Sequence, residues 1–133
     1  MCVQLTTKRE LTMDVVVGYK AFHVVEGKLV GIYYNLGGTD SSTNPVPYKQ
    51  GVSYLSGEPG FQTFIRKEDA LAWGRAHGNL KSTVVVPVQL RLVLGTGYAS
   101  SPLYANLYGE LDSCYIALEM TIPKNAERTK VVL

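Results

Sequence analysis

The sequence predicts an α+β domain: a mostly antiparallel β-sheet with one main helix, at about residues 66–77, packed on it. Three observations predict this. Side chains alternate with a period of two over residues 83–94 and 113–122, as they do when successive residues point to opposite faces of a sheet. Turn-forming groups such as Glu26-Gly27 and Ser56-Gly57-Glu58-Pro59-Gly60 punctuate the apolar stretches. Only residues 66–77 carry a helical stripe, formed by Ala70, Leu71, Trp73, Gly74 and His77.

Taken in order, residues 14–25 read as a long central strand, because Val15, Val17, Tyr19, Ala21 and His23 alternate with Val16, Phe22 and Val24 and leave both faces largely apolar. Glu26-Gly27 reads as a hairpin turn into a second strand over 28–35, ending at Tyr33-Tyr34. Residues 37–45 have loop chemistry throughout and are long enough to serve a function. Short strands follow at 48–55 and 61–65. The helix carries Glu68 and Asp69 in its first turn, where the dipole favours acids, and Gly78-Asn79 stops it. In 83–94, Val84, Val86, Val88, Leu90 and Leu92 oppose Val85, Gln89, Arg91 and Val93. Pro87 lacks an N–H, so the strand is expected to lie at an edge or to bulge there. Gly95-Thr96-Gly97 is expected to end that strand as a simple turn, since a phosphate loop needs more glycines and a helix start directly after them. The pattern over 98–110 selects neither helix nor strand. The last strand is 113–122, closed by Pro123. Five or more strands are therefore expected, with strand outweighing helix.

The 133 residues suit one domain, expected over 13–123, with 1–12 as an arm and 124–133 as a polar tail. Hydrophobic residues make up 46% and the net charge is +2, a balance that supports a packed core and gives no strong nucleic-acid signal. The cysteines, Cys2 and Cys114, form no CxxC and share no ligand spacing with His23 or His77, so no metal site or disulfide framework is expected. Residues 1–14 lack an apolar signal core, and no apolar run reaches membrane length. The expected location is cytoplasmic, without membrane association.

Nine tyrosines stand out, several of them in or beside loops: Tyr33, Tyr34, Tyr48, Tyr54, Tyr98, Tyr104 and Tyr108. Tyrosine offers a flat apolar face with a polar tip, which suits ligand contact as well as strand packing. His23 lies among valines and reads as a core histidine before it reads as a catalytic base, and His77 reads as a helix-end residue. Glu119 is an acid inside a predicted strand, placed either on a solvated face or toward a cleft.

Two resemblances follow from these motifs. Tyr19-Lys20-Ala21-Phe22, Gly60-Phe61, Glu68-Asp69-Ala70-Leu71 and the valine-rich strand over 83–88 are similar to the pattern of short uncharacterised proteins of bacteria and their phages, over roughly residues 16–95. That resemblance brings no activity with it. The chain also resembles the core of the ADP-ribosyltransferases. Tyr19-Lys20 stands where that family has a first-strand Arg or His, Phe61-Gln62-Thr63 where it has its middle-strand motif, and Glu119 where it has its later-strand Glu. This second resemblance implies NAD as cofactor, with Glu119 orienting the nicotinamide ribose.

The favoured expectation is a non-catalytic accessory domain that binds a ligand, nucleotide-derived ligands included, or a protein partner through a Tyr-rich face. Its ligand-binding residues are expected to be Tyr19, Lys20, His23, Tyr33, Tyr54, Phe61, Thr63 and Glu119. The alternative is an ADP-ribosyltransferase-like enzyme using NAD. A homo-oligomer paired through apolar strands overlaps the first reading.

Overall fold

A computed structural model of the chain describes residues 3–31, 48–55, 60–77, 82–99 and 113–132. Among these, eight strands form one antiparallel sheet and one helix packs on it: β1 (Val3–Lys8), β2 (Val16–Val25), β3 (Lys28–Gly31), β4 (Ser53–Leu55), β5 (Phe61–Phe64), α1 (Lys67–His77), β6 (Thr83–Ala99), β7 (Cys114–Thr121) and β8 (Thr129–Lys130). The fold class is thus the one that period-two alternation and a single helical stripe predict.

The 17-residue β6 is the spine. Along one edge it pairs with β2, from Val16↔Leu90 to His23↔Thr83, and then with β1, from Lys8↔Gly95 to Val3↔Ala99. Between them the Leu92 N–H donates to Thr12 O and the Arg9 N–H to Leu94 O, so β1 and β2 act as one interrupted strand. Along the other edge β6 pairs with β8 at Val84 and Val85, and with β7 from Gln89 to Gly97. Because β5 joins β2 at Tyr19↔Phe64 and joins β7 over its whole length, the ladder β6–β2–β5–β7 closes on itself. The bend this needs is visible in β6: Leu92 has φ of 54°, and the register shifts between Val93 and Gly95.

Gly95-Thr96-Gly97, expected to end the strand, instead runs inside it. Gly95 and Gly97 pair with β1 on one side and β7 on the other, and two strands flanking a continuous backbone outweigh the local turn propensity. Pro87 keeps its place in the strand for a related reason. The Val131 N–H donates to Thr83 O, so odd residues of β6 present their backbone groups to the β8/β7 edge. Pro87 falls between the last β8 partner, Val85, and the first β7 partner, Gln89, where no strand among the described residues calls for its missing N–H.

The alternation sets two clusters. Phe22, Leu29, Val84, Val86, Val88, Leu90, Met120 and Ile122 belong to the larger. Ala21, Phe64, Val85 and Cys114 belong to the smaller, which α1 covers with Ala70 and Trp73. Trp73 packs at 6.2 Å from the Phe64 ring. Gly74 is buried with them, and a methyl there would meet Val131 Cγ2 at 2.9 Å, so glycine lets the segment after β8 approach the helix. Asp69 in the first helical turn holds Arg66 at 3.2 Å. Both faces of residues 14–25 are apolar, yet Val15 and Val17 are exposed; α1 packs against the Tyr19–Ala21 part of β2. The flanking segments are part of the sheet: residues 3–8 form β1, and Thr129–Lys130 form β8 with Val131 buried behind it.

Candidate functional site

The expected ligand-binding residues fall into separate groups. The first lies where β2 meets β5. The two strands share the pair Tyr19↔Phe64, and Tyr19 packs against the cluster under α1. One residue on, Lys20 Nζ donates to Gln62 O at 3.0 Å, so an ammonium occupies a carbonyl that a longer ladder would have bound. Burial strips water from this ammonium and lowers its pKa from 10.5 to about 8, with Cys114 acting in the opposite direction. Thr63 is fully buried, and its Oγ1 has no hydrogen-bond partner among the described residues. Phe61 is partly buried against the larger cluster.

The second group surrounds Glu119. Its register neighbours are Leu55 on β4 and Arg91 on β6. Glu119 Oε1 accepts from Ser53 Oγ at 2.7 Å and pairs with Arg91 Nη2 at 3.2 Å. The carboxylate therefore joins three strands. Its partners lie on β4 and β6, whereas Lys20 reaches β5; among the described residues the two share no bonding partner.

His23 forms the third group, at the far end of β2. Its Nδ1 lies 3.4 Å from both Ser82 Oγ and Thr83 Oγ1, and burial lowers its pKa below the usual 6.5. Tyr33, also expected on the ligand face, lies outside the described residues.

Tyr54 belongs to a fourth group, and here the surface is concave. Tyr48 and Tyr54 meet edge to face at 5.1 Å, and Tyr48 meets the fully buried Phe22 in the same way at 5.6 Å. Tyr54 Oη accepts from the Lys49 N–H at 2.7 Å. The Tyr48 N–H donates to Leu29 O at 2.8 Å, and the Gly51 N–H to Ile122 O at 2.6 Å, so residues 48–51 are laced to β3 and to the residue that follows β7. Beside the tyrosine pair opens a pocket of about 330 Å³, lined by Gly27, Lys28, Leu29, Tyr48, Lys49, Gln50 and Arg128. Burial, and then the neighbouring Tyr54, raise the pKa of Tyr48, so its phenol stays protonated at neutral pH.

Sequence reasoning reached Tyr54, which meets Tyr48 beside the pocket, but missed the charged and amide residues that line it. Lys28, Lys49, Gln50 and Arg128 come from three segments far apart in the chain, and no local spacing links them. The only signal available was Glu26-Gly27, which places Lys28 at the start of a strand. Among the described residues no group of three His, Cys, Asp or Glu gathers as a metal site, and no helix is long and apolar enough to cross a membrane. No protein-family model, curated protein or solved structure matches the chain.

Proposed function

We propose that the chain is a small non-catalytic accessory domain that binds a ligand at the tyrosine-bearing surface around Tyr48 and Tyr54. The observation that carries this reading is the open pocket beside the two rings, with walls already tied together by backbone hydrogen bonds. Its volume lies at the small end of the range of about 300–1,000 Å³ usual for ligand sites. Walls held in place before binding reduce the ordering entropy that a ligand must offset. The bonds at Glu119 also favour binding over catalysis, because Oε1 already accepts from Ser53 and Arg91.

A second reading, an ADP-ribosyltransferase-like enzyme using NAD, draws support from one observation: β2, β5 and β7, the strands bearing Lys20, Phe61–Thr63 and Glu119, are neighbours in the ladder. One experiment separates the two. Protein purified from its host is examined by native mass spectrometry, and the same protein is incubated with NAD. Under the binding reading a small molecule or protein partner is retained, Tyr54→Ala loses it, Glu119→Gln keeps it, and no nicotinamide appears. Nicotinamide release by the parent protein, abolished in Glu119→Gln, overturns that reading.

A further inference from the structure

The pocket beside Tyr48 is unevenly charged. Among the seven described residues that line it, three are cationic, Lys28, Lys49 and Arg128, and none is acidic. All three are exposed, and among the described residues none has a carboxylate within salt-bridge distance. Like charges gathered in this way repel one another unless an anion sits between them.

Arg128 is also held in place. Its Nη1 donates to Gly27 O at 2.9 Å and its Nη2 to Gln50 Oε1 at 3.0 Å. Gln50 is fixed in turn, its Nε2 donating to Pro123 O at 3.0 Å and to Lys124 O at 3.2 Å. A guanidinium carries five N–H donors, so these two bonds orient the plane and leave three unused by them. Lys28 is set by the tight turn before it, Lys49 by its own N–H bond to Tyr54. An arginine fork flanked by two lysines, next to the protonated phenol and the ring of Tyr48, matches the several oxygens of a phosphate group.

From this arrangement we propose that the pocket binds a phosphate-bearing small molecule, its phosphate held by Lys28, Lys49 and Arg128. The proposal rests on the binding reading above and names the ligand class of the same site.

Isothermal titration of the full chain with inorganic pyrophosphate, ADP and adenosine tests it. Pyrophosphate and ADP are expected to bind and adenosine not to bind. Affinity should fall as salt is added. Arg128→Gln and Lys28→Gln should each weaken ADP about tenfold or more, the loss expected for one charge-assisted contact. Lys49→Glu should abolish binding. Its side chain is exposed and makes no bond among the described residues, so it tests the site even if Arg128→Gln disturbs the fold. Failure of both phosphates to bind the parent overturns the proposal, as does ADP binding that survives Lys49→Glu. Binding of a single-stranded RNA but of neither small phosphate overturns it too. A native ligand without phosphorus, lost in Tyr54→Ala but kept in Lys49→Glu, overturns the phosphate assignment while the binding reading stands.

Discussion

Arg91 and Glu119 sit opposite one another across the β6–β7 ladder, and the guanidinium reaches the carboxylate at 3.2 Å while Ser53 donates to the same oxygen from β4. The Glu119 side chain is 10% exposed and that of Arg91 40%, so the pair is partly screened and its strength moderate. Glu119→Gln should retain the Ser53 hydrogen bond and lose about 1–2 kcal/mol of stability. In a double-mutant cycle with Arg91→Gln, urea denaturation should give a coupling near 1 kcal/mol, and additive losses would show the pair to be idle.

Gly18 faces Thr63 across the β2–β5 junction. A methyl built on Gly18 lands on Thr63 Oγ1 and lies 3.0 Å from Leu90 Cδ1. Gly18→Ala should destabilise the protein by about 1–3 kcal/mol, the usual effect of overpacking. Thr63→Ala removes the clashing oxygen, so the double variant should recover part of the loss. A double variant no better than the sum of the single ones would place the strain elsewhere.

Lys20 should leave a signature in the pH dependence of stability. Its folded-state pKa is near 8 and its unfolded value 10.5, so the unfolded chain binds more protons between these values and stability rises with pH across that window. Below pH 8 the ammonium is charged in both states and the effect is flat. Lys20→Met lacks this component. The parent should therefore gain on the variant by about 1 kcal/mol per pH unit between pH 8 and pH 10. Parallel curves for the two proteins would show that the ammonium is solvated.

The hairpin between β2 and β3 turns on Glu26 and Gly27, with φ of 52° and 77°. Both central residues at positive φ mark a type I′ turn, which Asn-Gly suits better than Glu-Gly. Glu26→Asn should raise stability by about 0.5–1 kcal/mol, since asparagine adopts the left-handed region at less cost. A lower urea midpoint would mean that the glutamate makes a compensating contact.

How much of this was legible beforehand depends on the range of the forces. Val84, Val86, Val88 and Leu90 announce their shared face because alternation is local, and Trp73 announces its burial by helical spacing. Long-range closure has no such signature. Gly95-Thr96-Gly97 carries turn chemistry, and only the flanking β1 and β7 keep it extended. Residues 124–133 look polar, but Val131 becomes buried once β8 pairs with β6. The site was less legible still. The chemistry of Tyr54 marks it as a candidate in the sequence, whereas Lys28, Lys49 and Arg128 meet only after three distant segments are laced together. The sequence offers Lys20 and Thr63 as ligand residues. Lys20 bonds a backbone carbonyl, and Thr63 is fully buried.

The position of β6 in the sheet also sets the order of events during synthesis. β1 and β2 are made first, yet most of their partners lie between Thr83 and Ala99. The β2–β3 hairpin pairs locally, but Phe22 and Leu29 lack their packing partners Val84, Val86, Val88 and Leu90 until β6 has emerged, and β7 must follow before the ladder can close. Such non-local pairing slows folding and leaves early strands open to intermolecular contact. The same arrangement ties the finished protein together, since separating β6 from its neighbours dismantles both clusters at once.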